Sequence, residues 1–250
     1  MPRFFVEQGI LQDKFAVLTG EAAAHAKVLR LKPGDEVTLC AGDGLDHLCT
    51  VSDCSPGQIS LVLRSSVPSD TEPKLQCTVF MALPKSDKLE HVIQKATELG
   101  AARIVTFPAA RSVSRPDEKA LGKKLDRWQK IAAGAAEQSG RGRIPAVEVL
   151  PSWEAALAEA KRSDLAVLLY ENEEHLSLRR ALGDCRFSSV ALITGPEGGF
   201  APEEVDAAKA AGLAICTLGP RILRCETAPL CALTAVMFAA GELDESEKEG

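Results

Sequence analysis

The sequence predicts an α/β protein in which a small all-β amino-terminal domain precedes a parallel sheet covered by helices on both faces. Short apolar runs separated by turn formers fill residues 1–72, the pattern of a small barrel or sandwich. From residue 73 onward apolar runs alternate with helix-period segments, as parallel strands do when crossover helices join them. Two late apolar runs, 190–194 and 213–218, each empty into a glycine-proline turn. Ligands of open α/β sheets sit at such carboxyl ends of strands.

Taken in order, strand-like runs occupy 4–6, 15–18, 36–40, 47–52 and 59–64. Lys32-Pro33-Gly34-Asp35, Ala41-Gly42-Asp43-Gly44 and Ser55-Pro56-Gly57 punctuate them. The stretch Val67-Pro68-Ser69-Asp70-Thr71-Glu72-Pro73 reads as a linker, so the domains are 1–72 and 73–250. Beyond it, strands are expected at 75–83, 103–107, 165–170, 189–194 and 214–218. Helices are expected at 87–99, 117–138, 153–161, 202–211 and 226–241. Pro202 suits a first helical position, Glu203 and Glu204 suit the positive helix end, and Gly212 suits a left-handed cap. Residues 227–240 are apolar nearly all round, so that helix must be buried inside the domain or against a second subunit. The charged run 242–249 is expected to fray.

Composition agrees. A chain of 250 residues with 46% hydrophobic side chains can bury a sizeable core. No apolar run reaches membrane-spanning length, and Met1-Pro2-Arg3-Phe4-Phe5-Val6-Glu7 lacks the apolar segment of a signal peptide. The eight cysteines form no C-x-x-C pair, and several lie inside apolar runs. Disulfide and zinc frameworks are thereby disfavoured, no metal is expected, and a reducing cytoplasm is the default.

The net charge of −6 argues against a nucleic-acid partner until its distribution is considered. Residues 74–160 hold 14 basic and 10 acidic side chains, and 111–143 hold nine and four. A local basic face neutralises phosphates even on an acidic protein. Residues 119–130 fit a solvated helix face laced with ion pairs equally well. Arg111, Arg115, Arg141 and Arg143 flank loop signals, which makes them the better RNA candidates.

The chemistry concentrates in 190–230. Gly195-Pro196-Glu197-Gly198-Gly199 and Gly219-Pro220-Arg221 allow close backbone approach to a ligand, and the second turn is followed at once by Arg224 and Glu226. A plain crossover has no need of such groups, which are costly to desolvate unless paired or engaged. They could equally pair with each other across the turn. A dinucleotide-dependent (NAD) oxidoreductase would need G-x-G-x-x-G after its first strand, where Pro84-Lys85-Ser86-Asp87 stands instead. His25, His47, His91 and His175 are isolated, and no G-x-S-x-G elbow occurs.

GPEGGF followed by LGPRILRCETA resembles the knotted SPOUT methyltransferases, and most of all the bacterial ribosomal RNA small subunit methyltransferase E family. His25-Ala26-Lys27-Val28-Leu29-Arg30 with Gly34-Asp35 resembles that family's amino-terminal domain. Lys85 with Lys88, Lys95-Ala96-Thr97-Glu98-Leu99-Gly100, Glu137-Gln138-Ser139 with Arg141, and Pro145 resemble its catalytic half. Cys225 stands where the family pattern has threonine.

The resemblance implies a PUA-like β-barrel RNA-binding domain at 1–72 and a SPOUT α/β trefoil-knot domain at 73–250. It implies a homodimer through the last helix, and transfer of a methyl group from S-adenosylmethionine to N3 of a uridine in 16S ribosomal RNA. The cofactor would be held by three loops: Leu169, Tyr170 and Glu171; Gly195, Pro196, Glu197, Gly198 and Gly199; and Leu218, Gly219, Arg221, Ile222, Leu223 and Arg224 with Thr227 and Ala228. Arg224 would steady charge on the base and Glu226 would accept its proton. His25 and Arg30 would lie near RNA with the four arginines above. A non-catalytic ribosome-binding module would have no evident need for both intact turns.

Overall fold

The structure is a computed structural model that describes residues 1–114 and 116–244. Arg115 and most of the charged stretch from 242 lie outside the described residues. The chain forms two compact units, divided between Glu72 and Pro73. The segment Ala136–Ile144, which falls in the second domain by sequence, groups with the first unit.

The first unit contains β1 (Arg3–Phe5), β2 (Phe15–Thr19), α1 (Gly20–Val28), β3 (Glu36–Cys40), β4 (Leu45–Ser55) and β5 (Gln58–Pro68). Their order in the sheet is β1-β3-β4-β5-β2, with only the β1–β3 pair parallel. Period-two alternation sends Ala16 and Leu18 of β2 inward and Phe15, Val17 and Thr19 outward. The inward residues meet Phe4, Val37, Leu39, Val51, Ile59 and Leu61 in one cluster, around which the sheet curls. Pro56 and Gly57 join β4 to β5 between the paired Ser55 and Gln58. Gly57 at φ +80° supplies the left-handed residue this tight turn needs.

Helix α1 has no strand or helix signature in the sequence, because only Ala23 and Ala26 are buried. The sequence assigns no element to these residues. Within the same unit Arg141 is 4% exposed and grips Glu72. Its Nη2 and Nε donate at 2.6 and 3.1 Å, and the backbone N–H groups of Gly142 and Arg143 donate to the same carboxylate.

The second unit contains β6 (Gln76–Ala82), α2 (Lys88–Glu98), β7 (Arg103–Phe107), α3 (Glu118–Ser139, whose end groups with the first unit), β8 (Ala146–Val149) and α4 (Trp153–Ala160). It continues with β9 (Leu165–Leu169), α5 (Leu178–Leu182), β10 (Ser189–Thr194), α6 (Pro202–Ala210), β11 (Ala214–Cys216) and α7 (Thr227–Ala239). The strands form one wholly parallel sheet in the order β11-β9-β10-β6-β7-β8. Strand β10 sits between β9 and β6 and is buried from Val190 to Thr194, as expected of a strand covered on both faces.

Trp153 is packed between Phe107 and Phe200, with ring centroids 5.6 and 5.2 Å away. That aromatic stack fixes the residue immediately after the glycine turn. Helix α7 buries Pro229, Ala232, Leu233, Val236 and Met237, packing on α2, β6 and β10. Its opposite side exposes Cys231, Ala235 and Phe238, and Phe238 is 71% exposed. Among the described residues no helix is long and apolar enough to cross a membrane.

Candidate active site

Strand register gathers the site. Ile193 lies beside Leu168, and Cys216 lies beside Leu169, so β9, β10 and β11 end at one edge of the sheet. The segments that leave that edge, with Lys88 at the start of α2, enclose a cleft of about 990 Å³. This is the size of a small-molecule site.

The turn after β10 closes on itself. The Gly199 N–H donates to the Pro196 carbonyl at 2.9 Å, and a Cβ on Gly195 would stand 3.2 Å from the Gly199 backbone. Gly199 at φ +65° faces the Glu171 carboxylate so closely that a side chain there would collide with it. In the turn after β11, Thr217 Oγ1 accepts the Gly219 N–H at 3.2 Å, with Gly219 at φ +103°. The Thr227 and Ala228 N–H groups then donate to the Arg224 carbonyl and start α7. After β9, the Glu173 carboxylate accepts the N–H groups of His175 and Leu176 at 2.8 and 3.1 Å and folds that segment back.

A charged cluster stands at the mouth. Lys88 Nζ lies 3.1 Å from Glu197 Oε1 and 3.3 Å from Glu226 Oε2, and donates to Cys225 Sγ at 3.6 Å. The Lys85 N–H donates to Glu197 at 3.0 Å, and the Cys225 thiol donates to Glu226 at 3.2 Å. Burial opposes ionisation of Glu197, but hydrogen bonds from its own N–H, the Lys85 N–H and Lys88 hold its carboxyl below the usual range. Glu226 is likewise held low, by the Cys225 thiol first, then its own N–H and Lys88. Burial pushes Cys225 up to about 12, with its bond to Glu226 adding to the effect. It is therefore a neutral donor at physiological pH, where a threonine hydroxyl could act similarly. It is no nucleophile.

A second brace reaches the glycine turn from the loop after β7. Arg111 Nη1 donates to the Gly198 carbonyl at 2.9 Å. Buried Glu204 accepts the N–H groups of Ala110 and Ala201, both at 2.8 Å, fastening that loop to the start of α6.

Of the residues the sequence assigns to a cofactor, Leu169, Tyr170, Glu171, Gly195 through Gly199, Leu218, Gly219, Arg221 through Arg224 and Ala228 all line the cleft. Thr227 does not line it, because its side chain leaves on the exposed side of α7. Arg224 and Glu226 do not pair with each other. Glu226 is taken by Lys88, and Arg224 is exposed without a side-chain partner among the described residues. Lys88 was missed as a site residue. Its sequence signals were its place at the start of a helix after the first strand of the parallel sheet and, with Lys85, its resemblance to the family's catalytic half.

The basic candidates separate. Arg30, Arg111 and Arg143 are exposed, and His25 lies 3.4 Å from Glu137 with its ring against Phe4. Arg141 is corrected: buried and bound to Glu72, it has no guanidinium edge to offer a phosphate.

A family model described as an RNA methyltransferase domain matches residues 71–237, and one described as an RNA methyltransferase PUA domain matches 18–64. The chain is 37% identical over 247 residues to the ribosomal RNA small subunit methyltransferase E of Bacillus subtilis (strain 168), covering 95% of this chain and 96% of that one. It is 36% identical over 242 residues to the protein of the same name from Mycobacterium tuberculosis, covering 94% and 90%. The crystal structure of a ribosomal RNA small subunit methyltransferase E from Neisseria gonorrhoeae bound to S-adenosyl methionine superposes with a TM-score of 0.83 at 30% identity, over 95% of this chain and 97% of that one. With the glycine turns, the parallel sheet and the curled amino-terminal sheet all in place, the chain belongs to the RNA methyltransferase family whose members bear the name ribosomal RNA small subunit methyltransferase E.

Proposed function

We propose that the protein methylates N3 of a uridine in the 16S ribosomal RNA of the small subunit, using S-adenosylmethionine. The observation that carries this is the cleft framed by three strand-end segments, in a chain related over nearly its whole length to a protein solved with that cofactor. The residues present fit the group. Glycines leave backbone accessible at Gly195, Gly198, Gly199 and Gly219, while Leu169, Tyr170, Ile222 and Leu223 supply apolar faces. Glu171, Glu173 and Glu174 supply negative charge to a ligand that carries a cationic sulfur.

When bound, S-adenosylmethionine supplies a methyl group on positively charged sulfur. The cleft walls hold and orient it: Leu169, Tyr170 and Glu171; Gly195, Pro196, Glu197, Gly198 and Gly199; and Leu218, Gly219, Arg221, Ile222, Leu223 and Arg224, with Ala228. Such positioning lowers a transfer barrier by several kcal/mol. A uracil N3 is protonated at neutral pH, so its proton must leave and the resulting charge must be stabilised. The exposed Arg224 guanidinium is free to face that negative charge, and the ionised Glu226 carboxylate receives the proton.

Arg30, Arg111 and Arg143, with His25, contact phosphates, and residues 1–72 form the RNA-binding domain. The exposed apolar side of α7 covers its counterpart in a homodimer, since an exposed Phe238 beside Ala235 and Cys231 is a surface suited to burial. The chain threads as a trefoil knot around 190–228, and the enzyme works in the cytoplasm where ribosomal subunits are made.

Calorimetric titration with S-adenosylmethionine and with NADH, followed by methyl transfer to small subunits and to free 16S RNA, tests the reading. Mass spectrometry of the product nucleoside then locates the methyl group. Preferential NADH binding would restore the oxidoreductase. Cofactor binding without methyl transfer to either RNA substrate would favour the non-catalytic module.

A further inference from the structure

Lys88 stands at a junction that neither strand-end turn accounts for. It occupies the first position of α2, yet its ammonium reaches one carboxylate in the turn after β10 and another beyond the turn after β11. Both carboxylates are only partly exposed, 27% for Glu197 and 30% for Glu226. Without a cation between them, two like charges would stand together at the mouth of the cleft.

We infer that Lys88 is a positioning residue for the methyl transfer: it locks Glu226, on the acceptor side, to Glu197, in the glycine turn, at one fixed spacing. The inference rests on the functional reading above, but the geometry that carries it does not depend on any ligand. An ammonium carries three rotatable N–H donors, so one group satisfies both carboxylates while the Lys85 N–H anchors Glu197 from the same segment. The Cys225 thiol completes the arrangement by donating to Glu226. The charged and titratable groups around Glu226 are therefore Lys88, Glu197 and Cys225, with the Arg224 guanidinium adjacent in the chain.

The lock has a consequence for acid–base work. Lys88 orients Glu226 and, after the Cys225 thiol and the Glu226 N–H, helps hold it ionised, so a proton arriving from the acceptor base meets a carboxylate already in place. Removing the ammonium leaves Glu197 and Glu226 facing each other, which raises the pKa of both. Fewer molecules then carry the ionised Glu226 at low pH. The acid limb of the rate profile moves to higher pH.

The test compares the full chain with Lys88→Met and Lys88→Arg, checking by thermal unfolding that each is folded. Carbon-13 NMR titration of glutamate carboxyls, assigned with Glu226→Gln and Glu197→Gln, reads the lock with no substrate present. Lys88→Met should raise both carboxyl pKa values, lower kcat on small subunits about tenfold or more, and shift the acid limb upward. Lys88→Arg should restore most of both. Unmoved carboxyl pKa values with a normal rate profile in Lys88→Met overturn the lock and leave the functional reading standing. A parent protein that shows the carboxyl coupling but neither binds S-adenosylmethionine nor methylates RNA overturns the functional reading, and with it the catalytic role of Lys88.

Discussion

The Arg111 guanidinium donates to the carbonyl of Gly198 at 2.9 Å, so a residue of the loop after β7 holds the glycine turn after β10 from outside. A Cβ on Gly198 would stand 3.2 Å from the Arg111 side chain, which makes the two a matched pair.

Arg111→Ala should therefore loosen the turn and also remove a phosphate contact. Affinity for S-adenosylmethionine is expected to fall by a few-fold, as for one lost hydrogen bond of about 1 kcal/mol. The slope of log RNA affinity against log salt should flatten by roughly one unit. Calorimetry with the cofactor and RNA binding across a salt series measure the two effects separately.

Gly199 and Gly219 should fail for different reasons. Gly199→Ala drives a Cβ toward the Glu171 carboxylate, and φ +65° adds backbone strain. Gly219→Ala meets nothing within 4 Å, so its cost is the φ of +103° alone, on the order of 1–2 kcal/mol. Chemical denaturation should show comparable losses in both. Cofactor affinity should drop more in Gly199→Ala, where the side chain of a cleft residue is displaced.

Arg141 and Arg143 offer an internal control. Arg141→Ala strips the partner from Glu72 and should destabilise the protein by about 2–4 kcal/mol, visible in urea unfolding, since Arg141 is only 4% exposed. Arg143→Ala should leave stability within about 0.5 kcal/mol and lower the salt dependence of RNA binding. Equal effects of both on the salt slope, with no loss of stability in Arg141→Ala, would contradict the buried pair.

Glu226→Gln and Arg224→Ala should each lower single-turnover methylation by roughly 10²–10⁴-fold, with cofactor affinity largely kept because the loss falls on the transition state. Glu226 is held below the usual carboxylate range by Cys225, its own N–H and Lys88. Its ionised form, and the stability its bonds confer, is therefore fully present above that range and lost only as pH falls through the lowered value. Activity limited by this group should persist to unusually acid pH. A full single-turnover rate in Glu226→Gln would assign proton removal to water or to the RNA.

Phe238→Glu should shift the protein from dimer to monomer in sedimentation equilibrium. The substitution places a charge at the carboxyl-terminal end of the exposed apolar side of α7 while leaving its buried side untouched. A monomeric parent protein would remove α7 as an interface.

Much of this was legible in the chain. The alternation of strand and helix beyond residue 73 announced the parallel sheet, and GPEGG with LGPRILR announced two of the three segments that frame the cleft. Helix α1 was not legible, because a helix that buries two alanines writes no apolar stripe. Helix α5 and strand β8, five and four residues long, were not read either. Partnerships made across the fold were out of reach: Arg141 looks like a loop arginine until its carboxylate, 69 residues away, is found beside it. Lys88 with Lys85 entered the family resemblance, but its pairing with two distant turns was out of reach for the same reason.

Strand β10 lies between β9 and β6, yet it follows both in the chain. Until residues 189–194 are added β6 lacks one neighbour, and β9 lacks both, because β10 and β11 each follow it; hydrogen-bonding groups on those edges then stand unpaired. A ribosome that has not yet released residues 189–194 carries an incomplete sheet, and a chain truncated before them would keep that seam open as a template for self-association. The β6-β7-β8 half of the sheet is therefore joined to the β11-β9 half through one six-residue strand, which also carries the glycine turn.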